Sequence, residues 1–282
     1  MSPAVLQKEA ITRKPGAFEK RIHEIDFIRG VLIALVMMDH LFCWLWQYND
    51  QWAHAAMAAG RDYGFFLTMF KIFNFYWTST ARGIIRYIAL FGFTFVSGVS
   101  CAFSRSNWKR AGQMLLIYFV LAIVSNIGDV YFAESWGLVT LSIDFNVIGV
   151  LAWSTLIYCF VQEKSWRSLV AGILGFFLIG FYLIPWMERI NDAHNWIINA
   201  PPIFEPMVHA DWLPLFPYVM FFFMGALFSY FFYAPTKQSL IKHRGNWERP
   251  ICFLGRHSLW FYALHNLVLI PFFMFLSIWL GK

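Results

Sequence analysis

The sequence predicts an all-α, polytopic membrane bundle of about seven transmembrane helices, with interfacial or re-entrant helices besides. Three observations predict it. Only 13% of the 282 residues are charged, about half of what a soluble domain carries, while 59% are hydrophobic. The apolar residues are gathered into runs long enough to cross a hydrocarbon core of about 30 Å. Lysines and arginines collect between alternate runs, as cytoplasmic loops do.

Residues 1–22 hold Lys8, Arg13, Lys14, Lys20 and Arg21 and read as a cytoplasmic tail; residues 23–282 read as one transmembrane domain. Nothing in the tail resembles a cleaved signal peptide, because it is polar and no short apolar run with a small-residue cleavage site follows. The first span is placed at 25–47. Residues 48–83 include the aromatic stretch FFLTMFKIFNFYW, which Lys71 and Asn74 interrupt, so an interfacial or re-entrant helix is expected there. Further spans are placed at 84–103, 112–131, 138–161, 167–186, 215–233 and 252–280, the last with Pro271 inside it. This topology leaves Arg105, Lys109, Arg110, Lys164, Arg167, Lys237, Lys242, Arg244 and Arg249 inside with the tail. Arg61, Lys71, Arg82, Arg86, Arg189 and Lys282 fall outside. The bias sets the N-terminus in the cytoplasm of a multi-pass cell-membrane protein. It also accounts for the net charge of +6; no aromatic-interleaved basic patch points to nucleic acid.

Polar residues inside the spans are the candidates for chemistry, since an ionisable group in hydrocarbon costs several kcal/mol unless it faces a partner or a wet cavity. In the first span Asp26, Arg29, Ile33, Val36 and His40 fall on nearly one line, with Arg29 and His40 about three turns, roughly 16 Å, apart. Asp39 precedes His40 but points about 100° away, so Asp26 or Asp144 is the better candidate to orient the imidazole. Ser97, Cys101 and Ser104 lie at helical spacing near Gly92 and Gly98, either as a close-packing surface or as room for a ligand. Asp144 needs a cationic partner, for which Arg29, Arg86 and Arg256 are available. In the last span Ser258, Tyr262 and His265 occupy i, i+4 and i+7, one face of a helix, with Arg256 at its start. A histidine in a partly dehydrated cavity is a natural general base. The structural readings stay open beside these: a hydrogen-bonded core histidine, an interfacial tyrosine, a buried ion pair.

Other chemistry is not signalled. Cys43, Cys101, Cys159 and Cys252 form no CxxC pair and have no zinc-type histidine spacing. GxSxG, HExxH, Walker and Rossmann signatures are missing, which argues against soluble-type hydrolases, zinc proteases and nucleotide-driven pumps, though not against ion-coupled carriers.

The stretch RIHEIDFIRGVLIALVMMDH resembles the opening of transmembrane acyltransferases. It is similar to the acyltransferase-3 membrane proteins, in which an Arg is followed eleven positions later by a His, as Arg29 and His40 are. It also resembles the catalytic-domain family of heparan-α-glucosaminide N-acetyltransferase. FTFVSGVSCAFSRSNWKRAG, ADWLPLFPYVMFFFMGALFS and FLGRHSLWFYALHNLVL resemble later blocks of that second family, in the right order. A Gly-Ile/Val-Leu-His run common among relatives is replaced here by FNVIGVL, without its histidine. In the lysosomal enzyme the catalytic histidine follows the first span, a position nearer His54, so His40, His54 and His265 all stay open as the base.

The resemblance implies a membrane-bound acyltransferase that moves an acyl group, acetyl by expectation, from acyl-CoA to a hydroxyl or amine of a sugar or envelope glycan. On it, His40, Arg29 and Asp26 form the catalytic set and Asp144, Ser258, Tyr262 and His265 the substrate-binding set. Arg105, Lys109, Arg110 and Arg256 receive the donor. No bound cofactor or metal is implied; acetyl-CoA is the donor substrate, and the partners are the bilayer, acyl-CoA and the glycan acceptor. The oligomeric state, homodimer included, is left open. A membrane carrier for a small acyl or sugar compound and a non-catalytic partner of a glycan-assembly system are the rival readings.

Overall fold

The computed structural model describes residues 22–101, 103–104, 106–128, 130–131, 146–161, 165–186, 213, 215–233, 239–241 and 245–280. Among the described residues the elements are α1 (His23–Ala58), α2 (Gly64–Thr78), α3 (Thr80–Cys101), α4 (Asn107–Gly128), α5 (Val147–Phe160), α6 (Trp166–Leu178), α7 (Tyr218–Phe232), α8 (Arg249–Arg256) and α9 (Ser258–Trp279), with no strand. A π turn, Ile179–Leu183, carries α6 on to Trp186. α1, α3, α4, the extended α6 and α9 are long and apolar enough to cross a membrane, and α5 and α7 are shorter apolar helices. These correspond to the seven runs read from the sequence, and the chain is an all-α membrane bundle. Its polarity is that of a protein in lipid: Leu116 and Ile123 of α4 and Leu267, Val268 and Phe275 of α9 are more than half exposed, whereas Thr94, Asn146 and Ser154 are fully buried.

Three boundaries differ from the sequence expectation. The first helix does not stop at 47 but continues to Ala58, because AHAAMA is strongly helix-forming. It ends in a Schellman motif: Gly60 takes φ 65°, its N–H reaches Met57 O at 3.1 Å, and Arg61 N–H reaches Ala56 O at 2.9 Å. The aromatic stretch does form a separate helix, α2, which packs on α1 and buries no residue fully. The last span is two helices rather than one. His257 interrupts it, so that α8 lies along α1 while α9 crosses the bilayer through Pro271. Residues 1–21 of the tail, Arg105 and Asp144 lie outside the described residues.

Glycines set the helix contacts. A Cβ on Gly98 of α3 would sit 1.9 Å from Phe222 O of α7, and one on Gly225 of α7 would sit 1.9 Å from Phe95 O of α3. The two backbones touch, which buries Phe222 and Phe223 completely at the centre of the bundle. A second glycine pair joins α1 to α8. A Cβ on Gly30 would meet Ile251 O at 1.9 Å, and one on Gly255 would meet Asp26 O at 1.7 Å. At the same end Glu24 accepts hydrogen bonds from Tyr233 Oη (3.1 Å), Leu240 N–H (2.6 Å) and the Ser239 hydroxyl. His23 bridges Glu248 and Cys252. These polar contacts fasten Tyr233, Ser239, Leu240, Glu248 and Cys252 onto the start of α1.

Candidate active site

A cavity of about 470 Å³ opens between α1, α3, α4, α5, α8 and α9. Its polar wall begins with the α1–α8 contact. Gly255 brings the α8 backbone against α1, so the next residue, Arg256, extends beside Asp26, with Nε 3.4 Å from Oδ2. One turn along α1, Arg29 donates to Ser100 Oγ of α3, and the Ser100 hydroxyl donates to Val96 O at 2.6 Å. From α4, Arg110 donates to Ser97 Oγ at 2.9 Å and lies 3.8 Å from Cys101 Sγ. Gln113, Ser104 and Ser258 complete this wall. Among the described residues three arginines thus face one carboxylate, a positive excess in a medium where charge is weakly screened.

The opposite wall is apolar: Phe93, Phe103, Met114, Val147, Ile148, Leu151 and Leu259. Part of it is the first turn of α5. Asn146 caps that helix, its Oδ1 accepting from Gly149 N–H at 3.0 Å, and Asn146 itself is 1% exposed. Asn146 and the first turn of α5 therefore contribute a buried helix start rather than a titratable side chain.

Tyr262 lines the cavity and leads to a second layer. Its ring centroid is 5.5 Å from that of His265, which is 4.6 Å from that of His40 in an edge-on contact. Both imidazoles are held the same way: His40 Nδ1 lies 2.9 Å from Val36 O and His265 Nδ1 lies 2.6 Å from Tyr262 O. A carbonyl can only accept, so Nδ1 carries a proton in each ring, and in the neutral form of each ring Nε2 carries the lone pair. The orienting acceptor of His40 is thus a backbone carbonyl. Of the two carboxylates expected for that task, Asp26 is paired with Arg256, and Asp144 lies outside the described residues.

Asp39 turns to the other side of α1. Arg82 of α3 grips it with two bonds, Nε to Oδ1 at 2.7 Å and a terminal nitrogen to Oδ2 at 2.9 Å, and Tyr76 of α2 donates to Oδ1 at 2.9 Å. The Arg82 guanidinium also lies 3.5 Å above the Trp77 ring. The sequence reading counted Arg82 as a charge just before the span at 84–103; the helix begins earlier, at Thr80, and carries Arg82 to Asp39. Truncating one member of such a pair strands the other charge. Arg82→Ala is expected to cost about 3–5 kcal/mol of stability, and Arg82→Leu combined with Asp39→Leu to recover most of it. Melting temperatures of the single and double variants in detergent decide this, and additive losses would refute a coupled pair.

The other expected residues divide as follows. Asp26, Arg29, Arg110, Arg256, Ser258 and Tyr262 are brought together around the cavity, and His40 and His265 meet beyond it. Lys109 is exposed and does not line it. His54 is mostly exposed near the far end of α1, 3.6 Å from Asp50. Ser100 and Gln113 were not singled out, although each repeats a helical spacing: Ser100 lies between Ser97 and Ser104, and Gln113 three residues after Arg110. Among the described residues no group of three or more His, Cys, Asp or Glu is placed to hold a metal ion.

Comparison with protein families finds a match to heparan-alpha-glucosaminide N-acetyltransferase, catalytic, over residues 55–267. The matched stretch includes the cavity residues of α3, α4, α5, α8 and α9 and His265, and begins after Asp26, Arg29 and His40. Comparison with individual characterised proteins and with solved structures returned no match.

Proposed function

We propose, for a chain that belongs to the heparan-alpha-glucosaminide N-acetyltransferase catalytic family, an acyl transfer across the layer that separates the arginine cavity from the histidine pair. The donor is acyl-CoA, with acetyl as the acyl group. Its phosphates are held by Arg29, Arg110 and Arg256, whose charge exceeds that of Asp26. Its pantetheine arm lies along the apolar wall toward Tyr262. The acceptor is a hydroxyl or amine of a sugar. His40 Nε2 takes the acceptor's proton as the acceptor atom bonds to the thioester carbonyl carbon. The carbon–sulfur bond then breaks, and CoA leaves as a thiolate that takes up a proton. Arg29 and His40 are about 16 Å apart along α1, a distance that an extended pantetheine arm covers. On this reading the cavity and the N-terminus face the cytoplasm, where acyl-CoA is available, and the membrane is the cell membrane.

The observation that carries the reading is the cationic cavity of about 470 Å³ joined through Tyr262 to the two histidines. It is tested by calorimetric titration of the detergent-purified protein with acetyl-CoA. Arg110→Ala removes a charge-assisted phosphate contact and is expected to weaken binding about 10- to 100-fold. Equal affinity in wild type and variant removes Arg110 from the donor site, and no binding at all refutes the donor assignment. Labelled acetyl transfer to a panel of sugars then separates an enzyme from a carrier, since a carrier binds without transferring.

A further inference from the structure

We infer that His265 is the positioning partner of His40, stabilising the imidazolium that His40 becomes when it takes the acceptor's proton. The inference rests on the acyl-transfer reading with His40 as base, and adds to it a second histidine that acts only through the first.

Four observations support it. The rings are in contact, with centroids 4.6 Å apart and planes at 63°. Each ring is tied at Nδ1 to a carbonyl of its own helix, Val36 O or Tyr262 O, so neither is free to turn end over end. His265 is 6% exposed and shields its side of the contact from water, while His40 is half-buried. Among the described residues the nearby carboxylate, Asp39, is already held by Arg82 and Tyr76 on the other side of α1. An imidazolium formed on the half-buried His40 loses part of its hydration, and a polar partner offsets that loss. The second imidazole supplies a lone pair at Nε2 and an electron-rich ring face to meet it. Bond making is unchanged: the proton leaves the acceptor for His40 Nε2, rests against His265, and returns to the departing thiolate.

The kinetic test compares His265→Phe and His265→Ala with wild type, using acetyl-CoA and whichever sugar acceptor the wild type accepts. His265→Phe keeps an aromatic ring but offers no nitrogen; kcat is expected to fall roughly 100-fold, with both KM values within about twofold. His265→Ala is expected to fall similarly and to recover at least 10-fold when imidazole is added. Wild-type kcat in His265→Phe, or an alanine variant that imidazole does not rescue, overturns the inference. A second measurement does not depend on turnover. Magnetic resonance of the full-length protein with ¹⁵N-labelled histidine, acidified stepwise until the pair takes up one proton, is expected to show a correlation between the two Nε2 nitrogens through that shared proton; it is lost in His265→Phe, and its absence from wild type throughout the titration also overturns the inference. Should the nitrogens correlate while no acyl transfer is found, the acyl-transfer reading fails and the pair stands. Should transfer depend on His40 without the correlation, the pair fails and that reading stands.

Discussion

Replacing His40 by glutamine is expected to lower kcat for acyl transfer by roughly 10² to 10⁴-fold, the usual contribution of a positioned general base, while leaving acetyl-CoA affinity within about twofold of wild type. The split follows from position. His40 lies beyond Tyr262 and does not line the arginine cavity, so it has no part in holding the donor's phosphates. The fold is expected to survive. His40 makes a hydrogen bond to Val36 O in its own helix and a ring contact to His265, so its loss costs only about 1–2 kcal/mol. Initial rates over a range of both substrates, with a thermal melt as control, make the measurement. Wild-type kcat in His40→Gln would remove it as the base. Loss of activity in His54→Gln instead would move the role about four turns along α1, to an exposed residue beside Asp50.

The second large effect is structural. Gly98→Val is expected to abolish a monodisperse folded protein, and Gly98→Ala to lower stability by about 4 kcal/mol or more, the range reserved for core overpacking and backbone collision. The added carbon would lie 1.9 Å from Phe222 O, and that oxygen belongs to the α7 backbone rather than to a side chain that can swing away. In lipid, helix association rests on van der Waals packing between close backbones and not on burial from water, so separating α3 from α7 has no compensating term. Gly225→Ala meets the reciprocal collision with Phe95 O and is expected to behave alike. Size-exclusion profiles and melting curves in detergent test both; a Gly98→Ala protein melting within about 2 °C of wild type would refute the contact.

Much of the fold was legible from hydropathy. Lipid offers the backbone no hydrogen-bond partners, so each apolar run of sufficient length has to be helical, and its position follows from composition alone. The small-residue face around Gly92 and Gly98 was legible for a related reason: glycine inside a span marks close approach, and Leu32 and Phe222 are what approach it. Side-chain periodicity likewise placed Ser258, Tyr262 and His265 on one face of α9, and Asp26 and Arg29 on one face of α1.

Partners were less legible. Arg256 pairs with Asp26 because Gly255 and Gly30 press α8 onto α1 at that level, and neither residue carries a local signal of the other. Arg82 counted as an outer-loop charge, yet it enters the bundle to meet Asp39. His40 and His265 are 225 residues apart (265 − 40) in the sequence, and neither carries a local signal of the other. Composition and period thus determined the membrane class, the helices and the polar face of each. Which polar face meets which was decided by the depth and rotation of packed helices, which depend on glycine contacts between distant segments. An uncompensated charge in hydrocarbon costs more than the fold can tolerate, so these pairings had to be completed, but only the packed bundle shows by whom.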